Sequence, residues 1–149
     1  MEKKELELYI HIPFCVRKCN YCDFLSFPAD EDTQRQYVKA LCKEIFYYGA
    51  HCRDYVVSTV YIGGGTPSWL WESDMAEIMD AVHKNFALLP DAEVSVECNP
   101  GTVTAQKFAV YRQSGINRIS LGLQSAQNVE LKMLGRIHTW EQFLKTYEL

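Results

Sequence analysis

Residues 6–24 read LELYIHIPFCVRKCNYCDF. Leu6 to Ile12 alternates and is rich in aliphatic and aromatic residues, the pattern of a strand. Pro13 stops it, because proline has no N–H to give to a ladder. Cys15, Cys19 and Cys22 come next at C-x3-C-x2-C spacing, so a strand delivers three thiols to one short loop. A compact loop with this spacing can turn three thiolates toward one centre.

Outward from that loop, strand and helix signals alternate. Asp30-Glu31-Asp32-Thr33 suits a helix start, and Tyr37, Val38, Leu41, Ile45 and Tyr48 then form one apolar stripe. Val56 to Ile62 predicts a second strand, halted by Gly63-Gly64-Gly65. Ser73 is the expected N-cap of a second helix carrying Met75, Ile78, Met79, Val82 and Phe86. Ala92 to Glu97 predicts a third strand. Thr104 caps a third helix with Phe108 and Tyr111, which Gly115 stops. Arg118 to Leu123 predicts a fourth strand. A short helix over Val129 to Leu134 ends at Gly135, and Thr139 with Gln142 forms a capping box for a last helix. The order β-α-β-α-β-α-β-α predicts an α/β fold with a parallel sheet and right-handed crossovers. A doubly wound sheet and a segment of a TIM-like (βα) barrel both satisfy it. Four βα units are too few to close a barrel, so the expectation is a part of a longer protein.

Composition narrows the function classes. The chain has 149 residues, 48% hydrophobic and 23% charged, enough apolar material for a core. Its formal net charge is −4 and no Lys/Arg run stands out, which argues against a nucleic-acid-binding surface. No apolar run approaches the roughly 20 residues of a membrane span. The opening Met1-Glu2-Lys3-Lys4-Glu5 lacks the apolar centre of a signal peptide. The expected location is therefore cytoplasmic, where six cysteines stay reduced and metal or redox roles outrank disulfides.

Three cysteines can hold three irons of a [4Fe–4S] cube, leaving the fourth iron an open position. A structural zinc module using His11 with the three cysteines meets the spacing too, although strand alternation can point His11 away from the loop. Cys42, Cys52 and Cys98 read as packing residues.

The run Tyr9-Ile10-His11-Ile12-Pro13-Phe14-Cys15, continued by Cys19, Tyr21, Cys22, Asp23 and Phe24, resembles the radical S-adenosylmethionine (SAM) superfamily. Within it, the match is to the oxygen-independent coproporphyrinogen III oxidase-like group. The resemblance implies that residues 1–149 are the amino-terminal portion of a radical SAM core, with further barrel units and a substrate domain beyond it. It implies a [4Fe–4S] cluster on Cys15, Cys19 and Cys22, whose open iron binds SAM. An electron from the reduced cluster then breaks a carbon–sulfur bond, and a 5′-deoxyadenosyl radical abstracts hydrogen from substrate. It also implies an electron donor such as flavodoxin or ferredoxin, and a haem or porphyrin partner for the whole protein.

The same resemblance assigns SAM contacts, each beside a plainer reading. Gly64, Gly65 and Thr66 would take the methionine end of SAM, or form a tight strand-exit turn. Glu97 would accept from ribose hydroxyls or an ammonium, or be a solvated strand-end acid. Gln124 would help hold SAM. Arg136 would offer its fork to a carboxylate, or face a helix end as a cation. Tyr21 would place its carbonyl beside adenine and Tyr9 would line the pocket, or both would be core. Independently of the resemblance, the cysteines, Gly64–Thr66, Glu97 and Gln124 all follow the carboxyl ends of successive predicted strands, the edge where parallel α/β folds gather their sites. The decarboxylating oxidase carries another cysteine just past the third ligand, and here Asp23-Phe24 stands instead. That favours the haem-chaperone branch over the oxidase. On either branch the 149 residues alone are expected to be inactive. His51, His83 and His138 could ligate haem, with solvated or helix-face positions the plainer expectation.

Overall fold

The computed structural model describes residues 4–149; the opening Met1–Lys3 lies outside the described residues. Four strands form one parallel sheet: β1 (Lys4–Ile12), β2 (Tyr55–Gly64), β3 (Leu88–Cys98) and β4 (Arg118–Leu121). Their spatial order is β1-β2-β3-β4, the order of the chain. A doubly wound sheet reverses its order at a switch point, whereas a barrel adds each strand beside the last. The observed order is the barrel's. No helix among the described residues is long and apolar enough to cross a membrane.

The sheet has two unlike faces because its strands alternate. Ile10, Ile12, Val60, Ile62, Val94, Val96 and Cys98 are buried together in the core. Helices α1 (Glu31–His51), α2 (Glu72–Asn85) and α3 (Ala105–Gln113) cover this face, with Val38, Ile45, Met75, Ile78, Met79, Val82 and Tyr111 buried against it. Tyr9, His11, Tyr61, Glu97 and Ser120 take the alternate positions on the other face.

Helix starts follow local chemistry. Asp30 caps α1 by accepting from the Thr33 N–H, and Thr104 caps α3 by accepting from Lys107. Helices α4 (Asn128–Met133) and α5 (Trp140–Tyr147) follow β4, and Thr139 with Gln142 forms both bonds of a capping box. Ser73 is not the cap of α2. The 3₁₀ turn Pro67–Trp69 leads straight into the helix from Trp71, leaving Glu72 and Asp74 as first-turn acids facing the dipole. The Arg35 fork of α1 binds Asp74 at 2.6 Å and Glu77 at 2.5 Å, joining the two helices.

The α1 stripe also ends differently from its spacing. Tyr48 is exposed, and buried Gly49 faces α2 in its place. A methyl on Gly49 would meet the Asn85 carbonyl oxygen at 2.5 Å and Asn85 Cβ at 2.7 Å. Gly49→Ala is therefore expected to cost about 1–3 kcal/mol by overpacking, while exposed Tyr48→Ala stays within about 0.5 kcal/mol. Urea midpoints of the two variants check this, and equal midpoints would contradict the close crossing.

Candidate functional site

The cysteine loop is closed at its base before any ligand is considered. Cys15 N–H donates to the Phe27 carbonyl at 3.2 Å, and Phe27 N–H donates to the Pro13 carbonyl at 2.9 Å. The Phe14 ring sits edge-on to Phe27 and to Tyr37, with centroids 5.6 and 5.2 Å apart. Inside the loop a turn brings Cys22 N–H to the Cys19 carbonyl at 3.1 Å, and Lys18 Nζ donates to the Phe24 carbonyl at 3.2 Å.

The glycine segment is fastened to the same strand end. Gly65 N–H donates to the Ile12 carbonyl at 2.8 Å and Thr66 N–H to the Phe14 carbonyl at 2.6 Å. A methyl on Gly65 would lie 2.5 Å from the Phe14 carbonyl oxygen, and one on Gly64, at φ +120°, 2.7 Å from that of Ile12. The close approach that demands glycine is thus made by β1. Gly64 and Gly65 still line the cleft, by their backbone.

Glu97 is an anchored acid. Its Oε1 accepts from the Tyr61 hydroxyl at 2.7 Å and its Oε2 from Gly64 N–H at 3.2 Å. Burial, and then the bond to Glu97, raises the Tyr61 phenol above its ordinary value, so it donates as a neutral group. Arg136 reaches inward past Gly135. Its Nη2 donates to Asn99 Oδ1 at 3.0 Å and to the Gly122 carbonyl at 2.9 Å, while Nη1 approaches Cys19 Sγ at 3.5 Å and Tyr21 Oη at 3.4 Å. Its Nε is buried without a partner. Arg136 is therefore no solvated helix-end cation. Gln124 adopts φ +73°, a left-handed conformation that costs a residue with a Cβ about 1–3 kcal/mol and clusters at ligand sites.

One cleft collects these groups. Cys15, Cys19, Cys22, Tyr21, Gly64, Gly65, Thr66, Glu97, Gln124 and Arg136 all line it, around about 810 Å³ of space open to solvent. Tyr9 is not part of its lining: it stands further back on β1, stacked on Tyr61, with its hydroxyl 2.9 Å from His11 Nδ1.

His11 has both ring nitrogens engaged. Nε2 lies 2.9 Å from the Leu25 carbonyl, which can only accept, so Nε2 carries the proton and Nδ1 accepts from Tyr9. It offers nothing to a zinc ion. Among the described residues no three His, Cys, Asp or Glu side chains converge as a site for a single metal ion. An iron–sulfur cube asks less of the protein, because each thiolate binds a separate iron at a separate corner. Three thiols on one irregular loop facing an open cleft fit that demand.

Cys98 reaches the same cleft from the end of β3 but is buried in the core, and burial pushes its thiol up to about 12. Cys42 faces the Glu77 carbonyl across the α1–α2 contact. His51 and His83 each have a ring nitrogen on a backbone carbonyl. His138 departs from a surface position: it is buried, bonded to the Leu123 carbonyl, and held below its usual range by burial and then by Arg136.

Three contributors carried no role in the sequence reading. Tyr61 shares the inner face with Glu97, a placement that strand alternation could have signalled. Asn99 lies between Glu97 and Pro100 and touches two site residues. Asn20, within the cysteine spacing, reaches α4: its N–H donates to the Leu134 carbonyl and its Nδ2 to the Met133 carbonyl, both at 3.0 Å.

Comparison with known proteins fits this arrangement. The model of the radical SAM superfamily matches residues 9–149. The chain is 46% identical over 134 residues to heme chaperone HemW of Escherichia coli, covering 89% of this chain and 35% of that protein. It is 34% identical over 143 residues to heme chaperone HemW of Bacillus subtilis, covering 94% of this chain and 37% of that one. Coproporphyrinogen III oxidase (HemN) from Escherichia coli, a radical SAM enzyme, superposes with a TM-score of 0.87 at 29% identity, over 97% of this chain and 33% of its own. The chain spans about a third of the length of each.

The seat of the cysteine loop on α4 depends on Gly135, at φ +76°, where a methyl would lie 2.8 Å from Asn20 Oδ1. Gly101, at φ +81°, has nothing within 4 Å of such a methyl. Gly135→Ala is expected to speed tryptic cleavage after Arg17 and Lys18 severalfold, whereas Gly101→Ala, bearing only backbone strain, leaves that cleavage unchanged. Equal cleavage in both variants would show that the loop does not rest on α4.

Proposed function

The chain belongs to the radical SAM superfamily, and from that premise we propose that its cleft holds a [4Fe–4S] cluster on Cys15, Cys19 and Cys22, with SAM against Gly64, Gly65, Thr66, Glu97, Gln124 and Arg136. The carrying observation is convergence: residues from the ends of all four strands line one cleft with the three thiols. Bound there, the cofactors supply one-electron cleavage of a carbon–sulfur bond and hydrogen abstraction from a substrate.

The chain's own residues bind and orient. Glu97, fixed by two donors, keeps lone pairs for a hydroxyl or ammonium. Arg136 offers a planar cationic fork beside the Cys19 thiol. Tyr21 and Phe24 give the cleft an aromatic flank. Tyr9 stacks on Tyr61, the donor that holds Glu97.

For the longer protein of which residues 1–149 would form the front of the core domain, the reading is a cytoplasmic haem-chaperone-like protein of porphyrin metabolism. Support comes from Asp23-Phe24 after the third cysteine and from the identity to heme chaperones, 46% in the Escherichia coli case. Haem or a porphyrin would be its partner, and flavodoxin or ferredoxin its electron source. Oxidative decarboxylation of coproporphyrinogen III is the second reading, favoured by the superposition on that oxidase at 29% identity. Haem retention by the longer protein, without porphyrinogen turnover, separates the two. The committed ring nitrogens of His11 disfavour a structural zinc module.

Anaerobic reconstitution with iron and sulfide, followed by absorption and spin-resonance spectra with and without SAM, tests the cofactor assignment. Cys15→Ser, Cys19→Ser and Cys22→Ser are each expected to abolish the cluster, and Cys42→Ser, Cys52→Ser and Cys98→Ser to keep it. The wild-type spectrum is expected to shift on adding SAM. A cluster retained in Cys15→Ser, or tight colourless zinc in its place, would overturn the assignment.

A further inference from the structure

Arg136 and Thr66 reach the cleft from opposite sides, on segments 70 positions apart, and a single amide lies between them. Asn99 Oδ1 accepts from Arg136 Nη2 at 3.0 Å, and Asn99 Nδ2 donates to Thr66 Oγ1 at 3.0 Å. Guanidinium groups only donate, so the oxygen of the amide must face Arg136 and its nitrogen must face Thr66. The Thr66 hydroxyl is thereby made an acceptor toward Asn99, and its own proton remains free to donate to a ligand.

Asn99 is itself rigidly held. Its N–H donates to Ser68 Oγ at 3.2 Å, and its carbonyl accepts from Thr102 N–H at 3.1 Å and Thr102 Oγ1 at 2.6 Å. Behind it, the buried Lys107 ammonium donates to the Ser68, Leu70 and Thr102 carbonyls at 2.8, 2.9 and 3.3 Å. Removing the amide would leave Arg136 Nη2 with the Gly122 carbonyl alone, next to an Nε that already lacks a partner. A part-buried cation in that state reorients toward whatever acceptor is near.

We propose that Asn99 is a positioning residue that orders Arg136 and the Thr66 hydroxyl into one donor face for the carboxylate of the amino-acid end of SAM. This rests on the cofactor reading above. It assigns to Asn99, in the lining of the same cleft, the task of setting the polarity of two proposed SAM contacts.

The test is a SAM titration of the reconstituted protein, followed by the spin-resonance shift and by calorimetry, in wild type, Asn99→Ala and Asn99→Asp. Asn99→Ala is expected to weaken SAM binding about tenfold or more, the worth of one hydrogen bond to a charged group. Cluster content and melting temperature should stay at wild-type levels. Asn99→Asp keeps an acceptor for Arg136 and is expected to recover part of the affinity. Wild-type affinity in Asn99→Ala, or a loss that follows cluster content or melting temperature and is not relieved in Asn99→Asp, would overturn the proposal. A wild-type protein that keeps its cluster and titrates no SAM would instead remove the cofactor reading on which the proposal stands.

Discussion

The approach of Gly64 and Gly65 to the end of β1 is the constraint on which the site depends. One extra carbon at either position would fall 2.7 Å or less from a β1-end carbonyl oxygen. Because both are glycines, β2 pairs with β1 to its last residue, His11 opposite Gly63 and Ile12 opposite Gly64. The same closeness lets Gly65 and Thr66 donate to Ile12 and Phe14. Those bonds fix the cysteine loop and the Thr66 segment to one strand end. The pairing then carries across the sheet, where Glu97 lies opposite Ser120 and accepts from Gly64. The sheet's hydrogen-bond register is thus also the coordinate system of the cleft.

Most of the fold was legible because each strand and helix carries its own local signal. Caps at Asp30, Thr104 and Thr139 need only a side-chain oxygen and a nearby N–H, and sequence displays both. The gathering of site residues at strand ends followed from topology alone. What sequence withheld depended on neighbours distant along the chain. Tyr48 fits the α1 stripe by spacing, but which residue faces α2 was settled by Asn85, 37 positions on. Ser73 is a good cap by type, yet the preceding Pro67–Trp69 turn had already set the helix start. Arg136 resembled a helix-end cation until Asn99 and Gly122 claimed its fork. Glycines at 63–65 were expected to make room for a ligand, and the tightest contacts of Gly64 and Gly65 are with the carbonyls of Ile12 and Phe14.

The two faces of the sheet divide the work. Aliphatic residues on one side hold the helices by burial and supply the bulk of the stabilisation. The opposite side carries Tyr9, His11, Tyr61 and Glu97, joined by a stack and by bonds at 2.7 and 2.9 Å. A polar row in a sheet is costly when its groups are unpaired, and here they pair mainly with one another. His11 does more than fill a place, since its Nε2 proton also tethers Leu25 and so steadies the far side of the cysteine loop.

The contact of Asn20 with Met133 spans 113 positions, and this has a bearing on how the protein is made. While the chain is being synthesised, the cysteines emerge early and β1 finds its neighbour soon after. The support that α4 gives the loop does not exist until Met133 and Leu134 have left the ribosome. Long-range closures of this kind come late in folding, after their loop entropy has been overcome. Until then the three thiols sit on an unseated segment, open to oxidation or to a wrong metal. Seating of the cysteine loop is thus tied to the moment when Met133 and Leu134 return to the end of the first strand.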